Sequence, residues 1–256
     1  LAGCAVQRPP TQVKAPLPPQ WHAPLPHGGS VRQLESWWSG TGDPLLAALI
    51  HEAQTASPTI AQARSKFEQA RATQVAARAA MLPTLDAQAS ASRGFNQQTA
   101  GIANTAQIGL QAGWEIDLFG RNSATSDAAR ERLAGSRAQW HDARVSVAAE
   151  VALQYTGWRY CARQVAVLQD DVKSREQTAR LSKESERAGF TAPANAALAA
   201  ASFSDGRVRA TQQQLQCDIG IKTLVALTGR DETALRSVLA QTPATALPEN
   251  LFTVDS

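Results

Sequence analysis

The stretch Gln107-Ile108-Gly109-Leu110-Gln111-Ala112-Gly113-Trp114-Glu115-Ile116-Asp117-Leu118 alternates polar residues or glycine with apolar ones. Strand side chains point to opposite faces with a period of two, so this pattern predicts a strand with one apolar and one polar face. The run before it obeys the same rule. Thr84, Asp86, Gln88, Ser90 and Ser92 alternate with Leu85, Ala87, Ala89 and Ala91, an apolar side made mostly of alanine. A polar Gly/Asn/Gln stretch from Gly94 to Asn104 separates the two and reads as a loop. Two alternating segments of about ten residues fit membrane-barrel strands joined by an outer loop, and also fit a soluble hairpin.

On either side of this pair the period changes. Upstream, Asp43-Pro44 and Ser57-Pro58 each place a capping residue before a proline at the first helical position. Leu45, Leu49 and Ala53 give the first helix an apolar face. In the second, Ile60, Ala63, Phe67, Ala70, Gln74, Ala77 and Met81 step by three and four residues until Pro83. That is the coiled-coil repeat. Downstream, Gly120 ends the second strand, and residues 122–187 contain no proline. A helix of about 65 residues would reach ~100 Å, which a tube or rod needs and a compact domain does not. Its seam includes Val151, Tyr155, Trp158, Ala162, Val165 and Val172.

Gly189-Phe190-Thr191 breaks that helix, and another runs from about Pro193 to Leu227, closing at Gly229. Leu198, Val208, Leu215 and Ile219 are expected to pack it back antiparallel on the first. Arg230 to Ser256 hold a short helix and a proline-containing tail. The fold class is therefore mainly α with a two-stranded β segment. Its segments are an N-terminal motif (1–4), a tether (5–42), a helical segment (43–82), two strands with a loop (83–119), a long helical hairpin (120–229) and a closing helix with tail (230–256).

The N-terminus reads separately. Leu1-Ala2-Gly3-Cys4 resembles the lipobox of bacterial lipoproteins, in which the cysteine becomes the acylated mature N-terminus. Such acylation would anchor the protein to a membrane without a spanning helix. Between Arg8 and Pro26, seven prolines enforce an extended course, as a linker or as an arm from anchor to body.

Composition narrows the function. Lys+Arg number 25 against 22 Asp+Glu and are interleaved, so no face is built to neutralise phosphates, and no nucleic-acid partner is expected. No run of about 18 apolar residues exists. His22, His27, His51 and His141 are scattered, and none pairs at metal-ligand spacing. Phosphate-loop and G-x-S-x-G patterns are absent, and adjacent acids such as Asp170-Asp171 on a helix do not converge. No catalytic residue, cofactor or metal is assigned, and an enzyme is not expected.

The order helix, strand, loop, strand, very long helix, sharp turn, shorter helix resembles one structural repeat of the TolC-type outer-membrane efflux family, in its lipoprotein branch. Trp114-Glu115-Ile116-Asp117-Leu118-Phe119-Gly120-Arg121 is similar to that family's strand-to-helix junction. Ala149-Glu150-Val151-Ala152 with Tyr155 looks like its upper helix. Ala188-Gly189-Phe190-Thr191-Ala192-Pro193-Ala194 looks like its periplasmic tip, and Leu224-Val225-Ala226-Leu227-Thr228-Gly229 like the end of its inner helix.

The resemblance implies a trimeric tube, with a twelve-stranded barrel in the outer membrane and a helical barrel in the periplasm. That tube would meet an adaptor protein and an inner-membrane pump, passing drugs or other small molecules outward. Each family protomer carries two repeats and four strands, whereas this sequence shows one repeat. At the tip, Asn195 stands where the family often has aspartate. Gly189, Phe190 and Thr191 become the expected adaptor-docking end, with Phe190 either an exposed knob for an adaptor or packing the turn, and Arg180, Lys183 and Arg187 nearby either contacting an adaptor or forming a solvated face beside Glu184 and Glu186. Glu115 and Asp117 either set ion preference at the barrel mouth or are solvated strand-end charges. The alternatives are a periplasmic coiled-coil adaptor, which would not need the two strands, and a non-functional channel remnant.

One pairing is also expected. Cys161 and Cys217 lie at equal distances on either side of Gly189 and on apolar seams, so antiparallel helices would bring them level. In an oxidising periplasm such a pair is expected to close to a disulfide, the alternative being two buried free thiols packed as small apolar groups.

Overall fold

The computed structural model describes residue 38 and residues 42–98 and 100–241. The lipobox, Cys4 and the proline-rich tether lie outside the described residues. The chain forms α1 (Pro44–Ala56), α2 (Pro58–Ala79), β1 (Thr84–Asn96), β2 (Gly101–Gly113), α3 (Arg121–Arg187), α4 (Pro193–Thr228) and α5 (Glu232–Gln241). These fall into two compact units, residues 61–141 and residues 42–60 with 142–241.

In the first unit, Ala63, Phe67, Ala70, Gln74, Ala77 and Met81 are all partly covered while the α2 residues between them are exposed. The 3.5-residue seam is therefore the packed face, and Phe67 stacks on Trp140 of α3 with ring centroids 6.0 Å apart. β1 and β2 pair antiparallel, from Thr84 opposite Gly113 to Asn96 opposite Gly101. The strands are longer at the turn, and shorter at the helix, than the alternation predicts. Gly94–Asn96 and Gly101–Asn104 join the ladder rather than forming a loop, because the pairing satisfies backbone groups that a loop would leave to water. At the other end β2 stops at Gly113, and Trp114–Gly120 forms a separate junction although the alternation runs to Leu118.

In the second unit, Leu46, Leu49, Ile50 and Ala53 of α1 share a core with Val151, Tyr155, Trp158, Cys161 and Val165 of α3. Cys217, Ile221 and Leu224 of α4 and Leu235 and Leu239 of α5 complete it. Asp43 caps α1, its Oδ1 accepting the Leu45 and Leu46 amides at 3.0 and 3.1 Å. Gly229 ends α4 in the left-handed region at φ 69°, its N–H bonded to the Val225 carbonyl.

The seam expected for α4 is corrected. Leu198, Val208, Leu215 and Ile219 are exposed, and the buried side of α4 is Ala196, Gly206, Cys217, Ile221, Leu224 and Thr228. Smaller residues face α3 along much of this length because they admit a close approach. A Cβ on Gly206 would lie 2.8 Å from Arg175 Cδ. On α3, Ala162 is only partly buried and Cys161 occupies the deeper position.

Candidate functional site

The hairpin offers two chemically opposite faces. Leu85, Ala87, Ala89, Ala91 and Phe95 lie across from Ala112, Leu110, Ile108, Ala106 and Ile102, making one face apolar. Thr84, Asp86, Gln88, Ser90 and Ser92 lie across from Gly113, Gln111, Gly109, Gln107 and Thr105, making the other polar. Nearly every residue of both strands is exposed on both faces. A two-stranded sheet without a core beneath it is marginal by itself in water.

The junction after β2 is built around Asp117. Its Oδ1 accepts the Asn122 amide at 3.1 Å and its Oδ2 the Ser123 amide at 2.8 Å, so the carboxylate caps the first turn of α3. Those backbone donors, Ser123 foremost, hold the Asp117 carboxyl below the usual carboxylate range. Gly120 makes the turn possible with φ 73°, and Ser123 Oγ donates to its carbonyl at 3.2 Å. Arg121 begins α3. Trp114, Ile116, Leu118 and Phe119 are exposed, and Trp114 Nε1 donates to the Met81 carbonyl at 3.3 Å. Glu115 is exposed, so of the two acids expected at the barrel mouth, one belongs to the helix cap.

At the far end of α3, Gly189 has φ 78°, its amide bonds the Glu186 carbonyl at 2.9 Å, and the Phe190 amide bonds the Ser185 carbonyl at 2.9 Å. This paired closure is a Schellman motif. It leaves Phe190 86% exposed, so the ring does not pack the turn. Asn195 Nδ2 donates to Thr191 Oγ1 at 3.1 Å, which ties the first turn of α4 to the tip. Lys183 pairs with Glu186 at 2.8 Å, while Arg180 and Arg187 are exposed.

Cys161 and Cys217 form a disulfide with Cα atoms 5.6 Å apart. Nearer the tip, Arg175 crosses between the helices, its Nε on Asp171 at 2.7 Å and its Nη1 on Ser202 Oγ at 2.6 Å. The Asp171 carboxylate raises the Arg175 pKa further.

One cluster escaped the sequence reading. Asp43 Oδ2 accepts Tyr155 Oη at 2.8 Å and Arg159 Nη1 at 2.9 Å, and the Arg159 side chain is only 3% exposed. Burial, and then the hydrogen bond to Asp43, push the Tyr155 hydroxyl pKa upward. Asp43 had shown itself only as a helix cap. The available signal was Arg159, a charge four residues from Tyr155 beside an apolar seam. Among the described residues, no group of three or more His, Cys, Asp or Glu converges to hold a metal, and no helix is long and apolar enough to cross a membrane.

In chain order, a two-faced hairpin, a capped junction and a long cross-linked helical hairpin define a class of mainly helical proteins carrying a small, unsupported sheet. Residues 49–230 match the family model described as outer membrane efflux protein, and the chain belongs to that family. It is similar to outer membrane protein OprJ of Pseudomonas aeruginosa, 27% identical over 91% of this chain and 50% of OprJ. The pyoverdine export outer membrane protein OpmQ of the same species is 25% identical over 92% of this chain and 52% of OpmQ. The chain thus spans about half the length of the curated relatives it matches. Among solved structures, outer membrane protein VceC of Vibrio cholerae superposes with a TM-score of 0.71 at 21% identity, covering 79% of this chain and 51% of VceC. That likeness is one of fold.

Proposed function

We propose that this chain is part of the wall of an outer-membrane efflux channel, a passive conduit completed by other copies and by further strands. The observation that carries this reading is the hairpin, apolar on one face, polar on the other and exposed on both. A closed barrel in lipid accounts for all three properties. Its outer face meets hydrocarbon, its inner face meets water, and closure pairs both strand edges.

The helical hairpin supports the same reading. Leu153, Tyr160, Val167 and Leu181 of α3 are exposed at multiples of seven residues, and Val208 and Leu215 of α4 repeat the spacing. Apolar positions at this interval are coiled-coil seams, here left for neighbouring helices of a periplasmic tube. In this account the family's homotrimer is the assembly, with an adaptor protein docking at Gly189, Phe190 and Thr191 and an inner-membrane pump beyond it. Acylation of Cys4 would fasten the N-terminus to outer-membrane lipid. The segments 83–119 and 120–229 then correspond to barrel strands and periplasmic hairpin, and the cargo is small molecules.

The test places Asp at both Ile108 and Leu110 of the native channel and follows outer-membrane fractionation together with export of a fluorescent dye. Loss of both with retained synthesis is expected. Normal fractionation and export by the double variant would refute the lipid-facing assignment.

A further inference from the structure

We propose that Arg93 binds the phosphate of an anionic lipid headgroup and fixes the depth of the hairpin at the outer-leaflet boundary. The inference rests on the barrel reading above and adds a lipid site to it.

Arg93 follows Leu85, Ala87, Ala89 and Ala91 in the same parity, so it lies on the apolar face, opposite Asn104. It is the one charged residue on that face, since the hairpin's other charge, Asp86, belongs to the polar face. Arg93 is exposed and makes no ion pair or side-chain hydrogen bond among the described residues. A cation at the midplane of a barrel's lipid face costs about 2–4 kcal/mol, falling to about 0–1 kcal/mol near the interfaces. Position therefore decides whether this residue is tolerable.

The junction supplies the ruler. Exposed Trp114 follows Gly113, which pairs with Thr84 at the helix end of the sheet. Tryptophan favours the membrane–water interface, where the ring meets the acyl boundary and the indole N–H keeps a polar partner, here the Met81 carbonyl. The interval from Trp114 to Asn104, Arg93's partner, is roughly ten residues, or ~33 Å at ~3.3 Å per residue. At a strand tilt of ~40° this gives a height of ~25 Å, the height of a barrel's apolar band. With Trp114 at the periplasmic border, Arg93 reaches the opposite border. There the guanidinium's positive charge meets phosphate oxygens, to which its N–H groups donate. Phe95 and Ile102 form the next pair on the same face, toward the turn.

The experiment uses the native channel, extracted and placed in phosphatidylcholine vesicles containing phosphatidylglycerol. Native mass spectrometry then counts the phosphatidylglycerol retained per subunit. Arg93→Gln should retain about fivefold less, the worth of one cation at an anionic surface, and Arg93→Lys should restore most of it. Wild-type retention by Arg93→Gln overturns the proposal, as does a loss that Arg93→Lys fails to restore. A nitroxide at Ile108→Cys, in both the wild-type and Arg93→Gln backgrounds, separates this claim from its foundation. If a water-soluble relaxer reaches that nitroxide better than dissolved oxygen does, the barrel reading falls, and this proposal with it. If oxygen prevails and retention is unchanged, the headgroup claim alone falls.

Discussion

Arg159 and Asp43 exchange water for each other, and Tyr155 supplies the additional hydrogen bond that such a buried pair requires. Because Asp43 also caps α1, one carboxylate fastens the start of α1 to α3. Replacing Arg159 with Met leaves that carboxylate buried without its counter-charge. Unfolding in denaturant should show a loss of about 3 kcal/mol or more. Tyr155→Phe removes one hydrogen bond to a charged acceptor and should cost less, about 1.5–3 kcal/mol. A pH dependence attaches to Asp117. Its carboxyl is held below the range of an unfolded aspartate, so its contribution is present above about pH 4 and is lost as pH falls through the folded value. Asp117→Asn should speed amide exchange at Asn122 and Ser123 at neutral pH. The variant and the wild type should converge in acid. Of these two sites, the sequence displayed the Asp117 motif without its role, and Asp43 with half of its role. A cap is readable from local order, whereas a partner more than a hundred residues away is not.

At the level of elements, period was the informative quantity. The two-residue alternation located both strands and the 3.5-residue steps located the packed face of α2, because each follows directly from backbone geometry. For α4 one expected seam, through Cys217, is buried, and the other, through Leu198, Val208, Leu215 and Ile219, is not. Leu198, Val208, Leu215 and Ile219 are larger and more apolar than Ala196 and Gly206, yet the small residues are the buried ones. Hydrophobicity marks a surface to be covered without saying whether the cover lies within the chain. The cysteine register was legible because antiparallel helices about a known turn fix heights by counting. Cys161 and Cys217 are 56 residues apart, so joint replacement by Ser should cost up to about 4 kcal/mol from loop closure. Thermal unfolding with and without reductant checks it. The wild type should fall toward the double variant when reduced, and the double variant should not respond.

For the whole molecule, the claims concern assembly. Among the described residues each chain has two strands, which give six in a trimer, fewer than the eight of the smallest outer-membrane barrels. Three copies of residues 1–256 alone are therefore expected not to conduct, and planar-bilayer recording of purified trimers checks this. At the tip, Phe190→Asp in the native channel should reduce adaptor crosslinking and dye export while leaving trimer yield unchanged. Unaltered crosslinking would remove the tip from the docking surface. The central claim, that one face of the β1–β2 hairpin meets lipid and the other lines the conduit, has a direct test in single-channel recording. Cysteine is placed in turn at Gln88 and Gln111 on the polar face, and at Ile108 and Leu110 on the apolar face, then treated with a charged, membrane-impermeant thiol reagent. The account predicts a stepwise fall in conductance for the polar-face positions and none for the apolar-face positions. Equal block from both faces, or block from the apolar face alone, would contradict it.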